Sequence, residues 1–262
     1  MDIESIQRAG IKAAYRSGRV LTHHFGRLTH VNKKGAIDLV TAADLESEKT
    51  IIGTIHEKFP DHTIIAEESG IAQRDRHACW IIDPLDGTTN YVHGLGIFAV
   101  SIAFAIDERI VMGIVYNPVN GELFTAIEGQ GATLCDHPIQ VTSTTQVSES
   151  LLVTGFPYVM ENDKEALIQR FSNCLSAARG IRRLGSAALD LCYVACGRFD
   201  GFWEVKLNPW DTAAGMLIAR EAGGVVTDFN AQPFQIEHKQ ILATNAKIHQ
   251  EMLTLLNLKD TE

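Results

Sequence analysis

The sequence predicts a layered α/β arrangement, and three observations carry that expectation. Segments with helical apolar spacing alternate along the chain with short apolar runs of strand length. Three such runs, over 98–106, 110–116 and 122–126, follow one another with turn signals at Asp107-Glu108 and Asn120-Gly121, which reads as an antiparallel meander. Its residues alternate poorly, so helices are expected over both of its faces. Of 262 residues, 45% are hydrophobic and 21% charged, which supplies ample core.

Residues 2–28 carry Ile3, Ile6, Ala13, Ala14, Val20 and Leu21 at helical spacing and end near Gly26, a scaffold helix. The segment 30–38, with two lysines beside Gly35, reads as a mobile basic loop. Thr41 then opens a helix as its N-cap, with Asp44 third in capping-box order and Leu45, Ile52, Ile55 and Phe59 on its apolar face. A short strand over 62–66 delivers Glu67 and Glu68 just past its end. Trp80, Ile81 and Ile82 read as the end of a buried strand that Asp83-Pro84 stops.

Beyond the meander, the polar Ser/Thr-rich tract 140–149 marks a seam between two packed lobes, about 1–140 and 141–262, of one domain spanning the chain. The second lobe opens with a strand over 151–154 and a helix over 165–178 that turns Leu167, Ile168, Phe171, Cys174 and Leu175 inward. After a strand over 181–184, a helix starts at Gly185-Ser186-Ala187-Ala188 and stops at Gly197. A strand over 199–205 carries Glu204 near its end. The segment N-P-W-D-T-A-A-G begins a helix with Asn208 as N-cap and Pro209 at its first position, ending at Gly223-Gly224. Strands over 225–227 and 241–243 follow, and Asn245 caps a last helix containing Ile248, Met252 and Leu255.

Chemistry concentrates in W-I-I-D-P-L-D-G-T-T-N, residues 80–90. Asp83 and Asp86 stand at the edge of a buried strand, and no Lys or Arg lies between Arg76 and Arg109. Unpaired buried carboxylates take up protons, find a distant base or bind a cation. Hard oxygen donors favour Mg²⁺ or Mn²⁺. Gly87-Thr88-Thr89 follows at once, a helix start whose N–H groups can hold a phosphate. Adjacent Glu67 and Glu68 repel unless a cation stands near, which points Glu67 at the same metal. Taken singly, Asp-Pro and Asp-Gly are ordinary turns, and Thr41 with Asp44 an ordinary cap.

Several function classes are disfavoured. No run of about eighteen apolar residues exists, and the start M-D-I-E-S-I-Q-R is too charged for a signal peptide, so a cytoplasmic protein with no membrane association is expected. Cys79, Cys135, Cys174, Cys192 and Cys196 are odd in number and form no C-x-x-C pair, which suggests buried thiols rather than disulfides or zinc. A net charge of −9 argues against direct nucleic-acid binding. His23-His24, on a helix, and His137, in a loop, read as surface residues. Neither a Ser-His-Asp order nor a C-x5-R phosphatase loop is visible.

Four separated motifs, D-L-V-T-A-A-D at 38–44, E-E-S-G at 67–70, D-P-L-D-G-T-T-N at 83–90 and P-W-D-T-A-A-G at 209–215, together resemble the inositol monophosphatase family of Mg²⁺-dependent, lithium-sensitive phosphatases. The resemblance runs from Lys33 to the final helix and implies a five-layered αβαβα sandwich of the kind shared with fructose-1,6-bisphosphatase. It implies a first Mg²⁺ on Glu67, Asp83 and the Leu85 carbonyl, a second on Asp83, Asp86 and Asp211, and a third, weaker ion near Glu67, with Mn²⁺ as a substitute. Thr88 and Asp44 match the pair that positions the nucleophilic water, and Glu67 joins them in catalysis. The N–H groups of Gly87 and Thr88 would hold the phosphate, with Asp86 and Asp211 also facing the substrate. Glu204 would take ring hydroxyls, and Gly185, Ser186 and Ala187 would contact the polyol through their backbone. Asn208 departs from the base or histidine that such proteins often carry there.

The metal ligands are common to phosphatases of fructose 1,6-bisphosphate, nucleotide 3′-phosphates and histidinol phosphate, so they do not fix the substrate. E-E-S-G, G-Q-G-A at 129–132, T-G-F-P at 154–157 and G-S-A-A-L-D-L at 185–191 resemble most the bacterial SuhB-like branch. That favours hydrolysis of myo-inositol 1-phosphate by a homodimer. The same branch has been linked to the transcription machinery, and Arg179, Arg182 and Arg183 form a basic cluster for such a surface, for a subunit contact or for a solvated face.

Overall fold

The computed structural model describes residues 2–27, 31–33, 39–72, 77–157 and 163–258. The chain opens with α1 (Ile3–His24), a hairpin of β1 (Val31–Lys33) and β2 (Leu39–Thr41), and α2 (Ala42–His56). Next come β3 (Thr63–Ala66), β4 (Gly70–Ala72), β5 (Ala78–Asp86) and the short α3 (Thr88–Val92). The meander follows as β6 (Ala99–Ile106), β7 (Arg109–Asn117), β8 (Glu122–Ile127), β9 (Ala132–Leu134) and β10 (His137–Pro138). β3 to β10 form an eight-stranded sheet in the order β10-β9-β8-β7-β6-β5-β3-β4, with β3 and β5 parallel. The remainder comprises β11 (Leu151–Thr154), α4 (Lys164–Ala177), β12 (Gly180–Arg182), α5 (Ala187–Ala195), β13 (Gly201–Val205), α6 (Pro209–Glu221), β14 (Val225–Thr227), β15 (Gln240–Thr244) and α7 (His249–Leu256). Its strands form a second sheet in the order β12-β11-β13-β15-β14.

Alternation along the strands sets the layers. On β5, Trp80 and Ile82 face α1 and α2, where they meet Ile6, Leu21, Ile51 and Ile55, while Cys79 and Ile81 join the apolar cluster on the other face. That second face is covered by α5 and α6, which also pack on β13, β14 and β15. α4 and α7 close the far side of the smaller sheet, with Leu167, Cys174, Met252 and Leu256 against Trp203 and Leu242. The sequence of layers is αβαβα, as the family resemblance implied. No helix among the described residues is long and apolar enough to cross a membrane.

Small residues let α6 lie close to the sheet. A Cβ on Gly113 of β7 would stand 2.7 Å from the Ala214 carbonyl oxygen, and one on Gly215 would stand 2.7 Å from the Leu191 Cβ of α5. Ala99, Ala103 and Ala105 of β6 line the same interface. Ser101 Oγ donates to the Trp210 carbonyl at 3.1 Å, which ties the first turn of α6 to β6.

Several sequence expectations need correction. β5 does not stop at Asp83-Pro84. It runs to Asp86 with a slip in its register against β6 between Asp83 and Asp86, a bulge that tolerates a proline without a ladder N–H. On α2, Leu45 is exposed and Phe59 lies beyond the helix end; Ala43, Ser47, Ile51 and Ile55 face inward at the helical repeat. On α4, Leu167 and Cys174 are buried, but Ile168 and Leu175, one step further round, are exposed. Cys135 is exposed, against the expectation of buried thiols, and all five cysteines are free. Residues 31–33 of the expected basic loop pair with 39–41 as a strand, while residue 30 and residues 34–38 lie outside the described residues. His137 forms part of β10 and is exposed.

Candidate active site

Strand and helix ends from both halves of the chain meet at one cavity of about 190 Å³. Glu67 arrives from the end of β3, Asp83 and Asp86 from the bulged end of β5, and Gly87 and Thr88 from the start of α3. Gly185, Ser186 and Ala187 come from the start of α5, Glu204 from β13 and Asp211 from the first turn of α6. Glu68, the other adjacent acid, does not line the cavity, and its N–H donates to Glu48 at 2.9 Å.

Each aspartate is anchored by one oxygen. Asp83, 2% exposed, accepts from the Leu85 N–H at 2.9 Å through Oδ1, which tightens the bulge. Asp86 Oδ2 accepts from Ser186 Oγ at 2.5 Å and from the Ala188 N–H at 2.8 Å, bonding the end of β5 to the N-terminus of α5. Asp211 Oδ2 accepts from the Asn208 N–H at 2.7 Å, closing the cap of α6. The bulge itself is held from behind, since Ser47 Oγ donates to the Pro84 carbonyl at 2.9 Å and lies 2.6 Å from Ser17 Oγ of α1.

Asp44 joins the two roles that its sequence context left open. Its Oδ2 accepts from the Thr41 N–H at 2.8 Å and from Thr41 Oγ1 at 2.5 Å, a capping box at the head of α2. Its Oδ1 accepts from the Thr88 hydroxyl at 3.1 Å. That hydroxyl is also 3.1 Å from the Leu85 carbonyl, so its single proton is shared between two acceptors. Burial raises the Asp44 carboxyl, against the lowering effect of the Thr41 and Thr88 bonds.

Burial is the largest cause raising every other aspartate of the cluster. Asp83 is pushed well above its usual range by burial and then by Glu67, Asp86 and Asp211. Asp211 rises by burial and then by Asp86, and Asp86 reaches about 6 although Ser186 and Ala188 pull it down. Glu204, 8% exposed, is driven to about 8 by burial, with Arg183 opposing. Five carboxyls thus share the cavity with two cations, Arg183 and Lys206, both supplied from the second half of the chain. Lys206 also pairs with Asp163.

The donor set fits a hard divalent cation. It consists of the cavity's carboxylates, with the Leu85 carbonyl 3.1 Å from the Thr88 hydroxyl, holds no sulfur or imidazole among the lining residues, and gathers like charge that an added cation relieves. No three acids converge into a ready-made ligand cage among the described residues.

Other positions carry no site assignment from the sequence, among them Phe156 and Pro157, which line the cavity. Gly155 packs beneath Glu204, where a Cβ would meet its carboxyl atoms at 2.2–2.3 Å. Arg183 had been read with the surface basic cluster, and Lys206 had no signal beyond its nearness to Glu204. Asp190, 1% exposed on α5, has the one buried side-chain oxygen without a hydrogen bond among the described residues. Burial, and then Glu204 and Asp86, push that carboxyl well above the usual range, with Arg183 opposing. Asn208 lines the cavity as the N-cap of α6, and Gly87 takes a left-handed backbone (φ 99°) with no room for a side chain between Ile97 and Gly185.

The model of the inositol monophosphatase family matches residues 2–258. An inositol-1-monophosphatase of Synechocystis sp. is 45% identical over 253 residues, covering 96% of this chain and 88% of the relative. The Nus factor SuhB of Haemophilus influenzae is 44% identical over 246 residues, covering 93% and 92%. Among solved structures, the extragenic suppressor protein suhB of Bartonella henselae superposes with a TM-score of 0.93 at 39% identity, covering 98% of this chain and all of that one. An inositol monophosphatase from Anabaena gives 0.89 at 40%, covering 98% and 96%.

The raised carboxyls dictate how metal-free stability depends on pH. Asp86 titrates at about 6 in place of 3.8 and Glu204 at about 8 in place of 4.5, so the native state holds these protons more tightly than the unfolded chain does. Their contribution is intact below about pH 4 and is lost as pH rises through the folded values. In chelator, the melting temperature should fall between about pH 5 and pH 8, and added Mg²⁺ should reduce that fall by stabilising the ionised carboxylates. A melting temperature independent of pH across this window would contradict the like-charge cluster.

Proposed function

Because the chain belongs to the inositol monophosphatase family, we propose that it hydrolyses myo-inositol 1-phosphate to inositol and phosphate with Mg²⁺ held by Glu67, Asp83, Leu85, Asp86 and Asp211. The observation that carries the reading is the convergence of these donors beside the Thr88–Asp44 pair. Bound Mg²⁺ would lower the pKa of a water and balance charge on the phosphate and the leaving oxygen. The protein's own part is positioning. Once the Leu85 carbonyl is engaged elsewhere, Asp44 is the remaining acceptor for the Thr88 proton, and the Thr88 oxygen then turns a lone pair toward a water. Gly87 and Thr88 border the phosphate position, and Glu204 meets the hydroxyls of the leaving group. Lithium sensitivity, a cytoplasmic homodimer and use of Mn²⁺ belong to the same reading.

A panel of phosphate monoesters assayed with and without chelator tests it. Inositol 1-phosphate should be the best substrate, and activity should vanish in chelator and return with Mg²⁺; full activity in chelator would sink the proposal. Thr88→Ala tests the positioning pair. It should lower kcat by about two to four orders of magnitude with little change in KM. A change confined to stability, about 1 kcal/mol by thermal melt, would reduce Thr88 to a structural role.

A second reading, docking to a protein of the transcription machinery, is favoured by an exposed surface. Ile168 and Leu175 share one face of α4, near edge strand β12, on and just before which Arg182 and Arg179 are exposed. Some relatives are named Nus factors. Asp83→Asn separates the two readings, since it should abolish hydrolysis yet still complement a deletion strain if docking is the role that matters.

A further inference from the structure

Glu204 is the one polar group at the leaving-group end of the cavity that the proposed function invokes, and no hydrogen bond fixes its carboxyl among the described residues. What places it is packing. Gly155, in the loop after β11, lies so close that a Cβ there would overlap the carboxyl, at 2.2 Å from Oε2 and 2.3 Å from Cδ and Oε1. Its φ is not positive, so glycine is required for this close approach and not for backbone freedom. Phe156 and Pro157 continue the same wall and line the cavity. Phe156 is braced from outside by Phe171 of α4, ring centroids 5.8 Å apart at 59°. One end of the cavity thus pairs an unbonded carboxyl with an apolar surface. A cyclitol presents the same pairing, with hydroxyls around its rim and C–H groups across its faces, whereas a short open-chain polyol has no comparable apolar face.

We propose that Gly155 and Phe156 are the residues that select the leaving group: Gly155 sets the position of the Glu204 carboxyl, and Phe156 with Pro157 covers the C–H face of a cyclic polyol whose hydroxyls that carboxyl reads. This rests on the phosphatase reading and adds the residues that determine its specificity. Gly155 acts as a positioning residue, since it works through Glu204.

The test compares Gly155→Ala, Glu204→Gln, Phe156→Ala and the Gly155→Ala/Glu204→Gln pair on inositol 1-phosphate, 2-glycerophosphate and p-nitrophenyl phosphate. Gly155→Ala should lower kcat/KM for inositol 1-phosphate about ten- to a hundredfold, mainly through KM, with a several times smaller loss on p-nitrophenyl phosphate. In the pair, Glu204→Gln should add little, because the carboxyl has already been displaced. Phe156→Ala should raise KM for inositol 1-phosphate more than for 2-glycerophosphate. Equal losses on all substrates, or effects of Gly155→Ala and Glu204→Gln that add, overturn the proposal. Should Gly155→Ala fold poorly, Gly155→Ala/Glu204→Asp decides: the shorter acid clears the added methyl and should recover folding and part of the discrimination, and no recovery counts against the proposal. A wild type that does not prefer inositol 1-phosphate fails the substrate assignment alone. The Gly155/Glu204 pair is then judged by the same additivity criterion on the hydroxyl-bearing ester turned over best.

Discussion

Two acids of the cavity, and Asp44 beside it through Thr88, also hold the heads of helices that build the site. Asp44 closes the head of α2, Asp86 bonds to the N-terminus of α5, and Asp211 closes the head of α6, each through a backbone N–H. A carboxylate at a helix N-terminus gains from unpaired N–H groups and from the helix dipole. At Asp86 and Asp211 those bonds lower the carboxyl while burial and like charge raise it, which offsets part of the cost of bringing the acids together. Because each helix start needs only one carboxylate oxygen, structure and chemistry can divide the two oxygens of one side chain. Asp44 does so visibly, with Oδ2 on the cap and Oδ1 on Thr88.

Such an arrangement demands that three helix starts and one strand end stay in register. The bulge in β5 turns Asp83 and Asp86 toward the cavity where a regular strand would send only alternate residues. Ser17 and Ser47 secure the bulge from the α1/α2 layer. On the opposite face, Gly113 and the alanines of β6 admit the α6 backbone, and Gly215 admits α5. Larger residues in that seam would lift the first turn of α6 and carry Asp211 away from Asp83, so the small residues of P-W-D-T-A-A-G serve placement as much as packing.

The features legible in the sequence were those with a local cause. Capping at Thr41 and Asn208, the tight turns of the meander and the glycine at 87 are written in a few adjacent residues, and the structure has them. The five layers were legible only through the family resemblance, because periodicity does not say which faces meet. The misses share a non-local cause. Pro84 reads as a stop until β6 is seen to accept a bulge there, and Ile168 and Leu175 read as core until α4 is seen to rest on a narrower stripe. Gly155 and Asp190 owe their significance to Glu204, distant in sequence, and Arg183 reaches the cavity from a segment that looks like surface.

The two ends of the cavity answer to different constraints. At the acidic end, replacing Asp86 or Asp211 removes a helix-head bond along with a cavity carboxylate, so such changes cost stability as well as altering the site. Gly155 and Phe156 lie in a loop, and the Glu204 side chain caps no helix. Without bound substrate, the Glu204 carboxyl is a burden on the fold, raised to about 8 by the work of burying it. A fold built this way can keep its acidic corner fixed while the wall opposite is re-cut to fit another ligand. That division explains in physical terms why the motifs at 83–90 and 209–215 point to a phosphatase while the wall opposite, drawn from 154–157 and β13, is free to set the leaving group.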